Sequence, residues 1–176
     1  MSALQQLLTS INAAAAGGCT TVRDSVTGSS NGVTTDGYNY LACRFTAGAS
    51  YTTCKALFDL WKTGTPTGTW NIQLWSHNAG SNQPSALLAT SANNPAVAST
   101  ASPGAAVAFT SLATALTSAT IYWIIFFHSG GGTFSGTNFF SSRQGTLASG
   151  RIMVSTNGST WAEADTGSAS AFVTYS

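Results

Sequence analysis

The segment IYWIIFFH, Ile121 to His128, is an unbroken apolar run closed by a histidine, in a chain otherwise rich in threonine, serine, alanine and glycine. A helix crossing a bilayer needs roughly 20 apolar residues, and no window of this chain approaches that length. β-Branched and aromatic residues dominate the run, and Ser129-Gly130-Gly131-Gly132 ends it, which is how a buried strand is punctuated. Alternation puts Tyr122, Ile124 and Phe126 on one face and Trp123, Ile125 and Phe127 on the other. Both faces then need cover: one from an opposing sheet, the other from a helix, a loop or a neighbouring subunit.

Shorter runs of the same kind recur along the chain. They predict strands at Tyr38 to Phe45, Thr52 to Trp61, Trp70 to Ser76, Ala86 to Ser91, Ala105 to Phe109, Ile121 to Phe127, Thr137 to Ser141, Arg151 to Ser155, Thr160 to Glu163 and Ala171 to Tyr175. The two-residue period is clearest where Trp70, Ile72 and Leu74 alternate with Asn71, Gln73 and Trp75. Turn residues separate the runs at Gly64-Thr65-Pro66-Thr67-Gly68, Asn78-Ala79-Gly80 and Ser102-Pro103-Gly104. Asn157-Gly158 is a hairpin signal between Ile152-Met153-Val154 and Trp161, and the hairpin accounts for the Asn157-Gly158-Ser159 sequon better than glycosylation does. About 8–10 strands at this spacing predict an all-β fold, an antiparallel β-sandwich of the jelly-roll kind, preceded by a short N-terminal α-helix.

That helix is read from MSALQQLLTSINAAAAGGC. Ser2 with Gln5 fits a capping box, Leu4, Leu7, Leu8 and Ile11 fall on one face, and Gly17-Gly18 supplies the stop. The segment lacks the positive start and continuous apolar core of a secretion signal. A helix of about 14 residues is marginal in water by itself, so its leucine stripe calls for a partner surface, on its own domain or on other subunits. The expected organisation is therefore 1–18 as an attachment or oligomerisation element and 19–176 as the β domain.

Charged residues make up 6% of the chain, against about 25% in ordinary globular domains. The net charge is +1, and the cations Arg23, Arg44, Lys55, Lys62, Arg143 and Arg151 are scattered, so no footprint for nucleic acid or an anionic membrane is present. With 43% apolar and 11% aromatic residues the chain nevertheless folds. The three cysteines, Cys19, Cys43 and Cys54, lack metal-binding spacing, and no cofactor is implied. A hairpin symmetric about the turn TAGAS at 46 to 50 would set Cys43 and Cys54 opposite each other as a disulfide; buried free thiols are the alternative.

Candidate chemistry is sparse. The carboxylates are Asp24, Asp36, Asp59, Glu163 and Asp165, with Asp59 inside a strand and the rest in loops or turns, so a glycosidase pair is not expected. No nucleophile elbow accompanies His77 or His128, and His128 reads as a structural histidine ending its strand. Binding is better supplied: Trp75, His77 and Asn78 at a strand end, with Trp161 after the hairpin turn, are the aromatic and amide types that hold a sugar by stacking and hydrogen bonding.

The succession YTTCKALFDLWKTGTPTGTWNIQLWSHNAGSNQPSALLATS, then AVAFTSLATALTSATIYWIIFF, then STNGSTWAEADTGSASAFVTYS resembles the choice-of-anchor R type of β-sandwich, over about residues 30 to 176. The resemblance rests on Lys62-Thr63-Gly64 leading to Trp70 to Trp75, on Pro84-Ser85-Ala86-Leu87, and on Thr120-Ile121-Tyr122-Trp123. It implies a scaffold without catalytic residues, akin to carbohydrate-binding jelly rolls and found in bacterial surface and phage virion or tail proteins. Together with the low charge and the two apolar features, it leads to the expectation of a non-enzymatic phage virion protein. Such a protein would decorate the capsid or form part of a tail or fibre, assemble with other virion subunits and with copies of itself, and touch host-surface glycans. The alternative is a carbohydrate-binding or adhesion module on a bacterial cell surface.

Overall fold

The computed structural model describes residues 19–28, 30–100, 104–129, 136–170 and 172–176. Eleven strands follow in chain order: β1 Val22–Val26, β2 Ser30–Thr34, β3 Tyr40–Thr46, β4 Tyr51–Thr63, β5 Thr69–Asn78, β6 Gln83–Thr90, β7 Ala105–Leu116, β8 Ile121–Ser129, β9 Phe139–Ser155, β10 Ala162–Ser170 and β11 Phe172–Tyr175. They form one sheet in the order β1-β11-β4-β9-β3-β8-β5-β6, with β7 also on β4, and with β2 and β10 on β9. Every pairing is antiparallel. The described residues contain no helix.

The 17-residue β9 holds the sheet together by changing partners along its length. Its first part pairs with β4, from Thr63↔Phe139 to Leu60↔Ser142, and its last part with β3, from Cys43↔Ile152 to Tyr40↔Ser155. Between them β10 slips: Thr166 faces Arg151 while Ser168 faces Thr146, so residues 147–150 bulge opposite Gly167. Bulges of this kind bend and twist a strand, which lets one continuous β9 serve two differently directed parts of the sheet. Gly150 is required there, because a Cβ would lie 2.5 Å from the Ser168 carbonyl oxygen. Leu147 in the bulge packs against the core.

The main core is built by strand alternation. Phe45, Phe58, Phe109, Phe126, Phe140 and Phe172 point inward, none more than 2% exposed. Their rings meet across strands that share no hydrogen bonds: Phe45 of β3 with Phe172 of β11 at 5.3 Å, and Phe109 of β7 with Phe126 of β8 at 6.2 Å. Each buried side chain of this size contributes on the order of 2–3 kcal/mol by leaving water, before its ordering entropy is counted.

Three expectations change. The TAGAS turn does not close a hairpin, because β3 pairs with β8 and β9 while β4 pairs with β11, β7 and β9. Cys43 and Cys54 therefore do not bridge: Cys54 is bonded to Cys19, with Cα atoms 5.8 Å apart, and Cys43 is a buried free thiol. The Ser170 N–H donates to Cys43 Sγ at 3.3 Å, and burial pushes that thiol up to about 11, so it stays protonated. The runs read separately at Thr137 to Ser141 and Arg151 to Ser155 fall, from Phe139 onward, in the single strand β9. The predicted amphipathic helix, with Leu4, Leu7, Leu8 and Ile11, lies outside the described residues.

Candidate functional site

The opposite face of β5, β8, β3 and β9 carries a second buried cluster of Ala42, Trp123, Ile125, Met153 and Trp161, with Tyr40 and Trp75 packed against it. Register arranges it in rows. Trp75 of β5 faces Trp123 of β8, which faces Arg44 of β3. In the next row Gln73, Ile125, Ala42 and Met153 follow one another across the four strands, with Glu163 of β10 beyond. The third row is Asn71, Phe127, Tyr40 and Ser155.

These rows supply the second cover that the double-faced β8 requires. Trp123 and Ile125 are both 0% exposed, shielded by side chains of the same chain. Small Ala42 at the centre leaves room for larger rings to lie above it. The Trp161 ring sits edge-on to Tyr40 at 5.8 Å and to Trp75 at 6.2 Å, and Tyr40 packs on Phe127 at 4.5 Å. Trp161 is delivered by the β9–β10 connection at 156–161. There Asn157 Oδ1 accepts the N–H groups of Ser159 and Thr160, each at 2.9 Å, and Gly158 takes the left-handed conformation at φ 74°. A Cβ on Gly158 would lie 2.9 Å from the Tyr40 ring.

Polar groups lie among these rings. Trp75 Nε1 donates to Gln73 Oε1 at 2.8 Å, and Trp123 Nε1 donates to His77 Nδ1 at 3.1 Å. An indole N–H can only donate, so His77 accepts at Nδ1 and carries its proton on Nε2. Arg44 Nε donates to the Ser149 carbonyl at 2.8 Å and Nη1 to Asn82 Oδ1 at 2.5 Å. Arg151 is ion-paired with Glu163 at 2.7 Å. Burial first, and then the like charge of Arg151, disfavour the charged form of Arg44, while Glu163 opposes them. At the edge, Leu87 of β6 faces Trp75 and is 51% exposed.

His77 has a pH consequence. Burial, and secondarily Arg44, hold its imidazole below the usual value of 6.5. The folded state thus binds its proton less readily than the unfolded chain, so the stabilisation is complete above about 6.5 and is lost as pH falls through the lower folded value. Protonation would also set an N–H of His77 against the Trp123 N–H. We expect the thermal midpoint to drop on acidification from pH 7 to pH 5, and the drop to shrink in His77→Gln, whose amide oxygen can still accept. An equal drop in both proteins would show that His77 is not responsible.

Of the residues singled out from sequence, Trp75, His77 and Trp161 come together on this face. Asn78 does not join them: its Oδ1 accepts the N–H groups of Gly80 at 2.9 Å and Ser81 at 3.2 Å, which shapes the turn after β5. Tyr40, Gln73, Arg44, Trp123, Met153, Arg151 and Glu163 were missed. Their parity along each strand was readable, but which strands are neighbours was not.

Other chemistry-bearing groups are dispersed. Asp59 is paired with Arg143 at 3.6 Å beside a cavity of about 210 Å³ lined by Val26, Leu57, Phe58, Ala106 and Phe172; burial raises its carboxyl, with Arg143 opposing. Glu163 has a different arginine, on β9. His128 is buried, its Nε2 bonded to the Thr67 carbonyl at 2.8 Å. Among the described residues no three of His, Cys, Asp and Glu are grouped to hold a metal ion, and no helix is long and apolar enough to cross a membrane. No protein-family model matches this chain, and no curated protein matches it.

Proposed function

We propose that this chain is a non-enzymatic adhesion module: a jelly-roll-like β-sandwich, of the choice-of-anchor R kind, displayed on a phage particle and docking saccharides of a host surface on its outer aromatic face. The observation that carries this reading is the combination, on one face, of the partly exposed rings of Tyr40 and Trp75 with the side chains of His77, Arg44 and Glu163. A pyranose presents an apolar C–H face and a rim of hydroxyls, and such a site matches it with rings for the face and hydrogen-bonding groups for the rim. The β-sandwich reading is supported by the ring contacts between strands that are not hydrogen-bonded to each other.

The Cys19–Cys54 bridge supports an exterior location, since disulfides persist on virion and cell surfaces and are rare in the cytosol. Weak individual contacts would be made effective by many copies on one particle. Residues 1–18 would then serve as the attachment element.

A glycan array probed with the multimerised protein tests the proposal. Retention of a defined set of saccharides is expected, with binding by Trp75→Ala weaker by about tenfold or more, the loss of roughly 1.4 kcal/mol of stacking. Trp75 is only partly buried, so the variant should remain folded by circular dichroism. No retained saccharide, or equal binding by folded Trp75→Ala, would overturn the reading.

A further inference from the structure

In a chain with six Lys and Arg against five Asp and Glu, the position of each charge is informative. Two of those cations, Arg44 and Arg151, each stand one residue beyond the Cys43↔Ile152 pair of β3 and β9, on the same face as Ala42 and Met153. Arg44 closes the row that begins Trp75–Trp123. Glu163, the acid beside them, is engaged by Arg151 at 2.7 Å, which leaves the cluster one net positive charge. Arg44 is held by neutral acceptors, the Ser149 carbonyl on Nε and Asn82 on Nη1, and no carboxylate among the described residues lies within ion-pair distance of it. Asn82 reaches Arg44 from the turn after β5 with φ 55°, the left-handed conformation that asparagine adopts more readily than other residues with a side chain.

A guanidinium fixed at two of its nitrogens and partly exposed keeps further N–H donors for a planar acceptor. Carboxylates fit that fork, and the match is favoured where the surroundings are drained of water and short of negative charge. Resting on the saccharide reading above, we infer that the face selects acidic saccharides, with the sugar carboxylate on Arg44, Arg151 supplying a second positive charge, and the pyranose ring against Trp75 and Tyr40. Asn82 is a positioning residue: it aims the Arg44 fork without touching the ligand.

The test compares sialyllactose and tri-galacturonate with their methyl esters, which keep the ring shape and remove the charge, and with acetate as the carboxylate alone. Isothermal titration should show each acid binding about tenfold or more tightly than its ester, a preference that shrinks with added salt. Acetate should be too weak to measure. Arg151→Gln should lower the acid-to-ester ratio, since it also frees Glu163 to repel the ligand. Arg44→Lys, which keeps the charge and loses the fork, should lower it too, and guards against misfolding in Arg44→Gln. Asn82→Ala should weaken the acids and spare the esters. Equal binding of acids and esters, or a ratio unchanged in both Arg151→Gln and Arg44→Lys, would overturn the acidic selectivity and leave the saccharide reading standing. Failure of every acidic and neutral saccharide to bind would remove both.

Discussion

Trp123→Ala lowers the unfolding free energy by about 3–5 kcal/mol, the range for deleting a fully buried large aromatic side chain. The indole is 0% exposed at the centre of the outer row, so its removal leaves a cavity that Trp75, Arg44 and Ile125 cannot fill without breaking their register. It also strips His77 Nδ1 of its donor, which adds the cost of a half-satisfied polar group in a crowded site. Against a total stability of about 5–15 kcal/mol for a domain, the loss is large enough to appear as a shift of the denaturant midpoint. Trp75→Ala, at a partly exposed site, should shift it much less. A Trp123→Ala midpoint within 1 M urea of the parent's, equivalent to roughly 1–3 kcal/mol at most, would mean that the outer cluster does not support the fold.

Breaking the Cys19–Cys54 bridge should cost nearly as much. The bridge spans a sequence separation of 35, and closing a loop of that size removes about 4 kcal/mol worth of freedom from the unfolded chain. Cys19→Ser, Cys54→Ser and reductant added to the parent should all lower stability by similar amounts, within the range set by structure remaining in the unfolded state. In Cys43→Ser the sensitivity to reductant should persist, because Cys43 takes no part in the bridge. Alkylation under denaturing, non-reducing conditions should label Cys43. Labelling of Cys19 instead would restore the Cys43–Cys54 pairing that the turn at 46 to 50 suggests.

That pairing shows where local pattern stops being informative. The faces of β8 were legible because the two-residue period is a local property, and so were most strand positions and the hairpin after Ile152. The partner of each strand is set by the whole fold. Cys43 and Cys54 flank a genuine turn, yet β3 leaves it to join β8 while β4 joins β7 and β11. The two runs that belong to β9 look separate for a different reason. Gly145 and Gly150 look like breaks between strands, yet they lie inside β9 and let other backbone come close, Thr27 at Gly145 and Ser168 at Gly150. The far end of β10, Asp165-Thr166-Gly167-Ser168, was lost because hydroxyl-rich, glycine-containing sequence carries no apolar period.

The candidate site divides along the same line. Trp75, His77 and Trp161 were legible as the residue types a sugar needs at strand ends. Arg44 and Tyr40 were not, because only register puts them beside Trp123 and Phe127. Asn78 was chosen for its amide, and the turn uses that amide for its own backbone. The outer cover of β8 was likewise undecidable in advance, since Trp161 reaches it from a distant part of the chain through the 156–161 connection.

The central claim is that the aromatic face both seals β8 and receives a ligand. Indole N–H signals in a nitrogen-correlated NMR titration with a saccharide retained on the array test it most directly, because the five tryptophans divide between this face and elsewhere. The account predicts that Trp75, Trp123 and Trp161 shift in a saturable way while Trp61 and Trp70 stay in place. Saturable shifts at Trp61 or Trp70 with the three face indoles unmoved would contradict it.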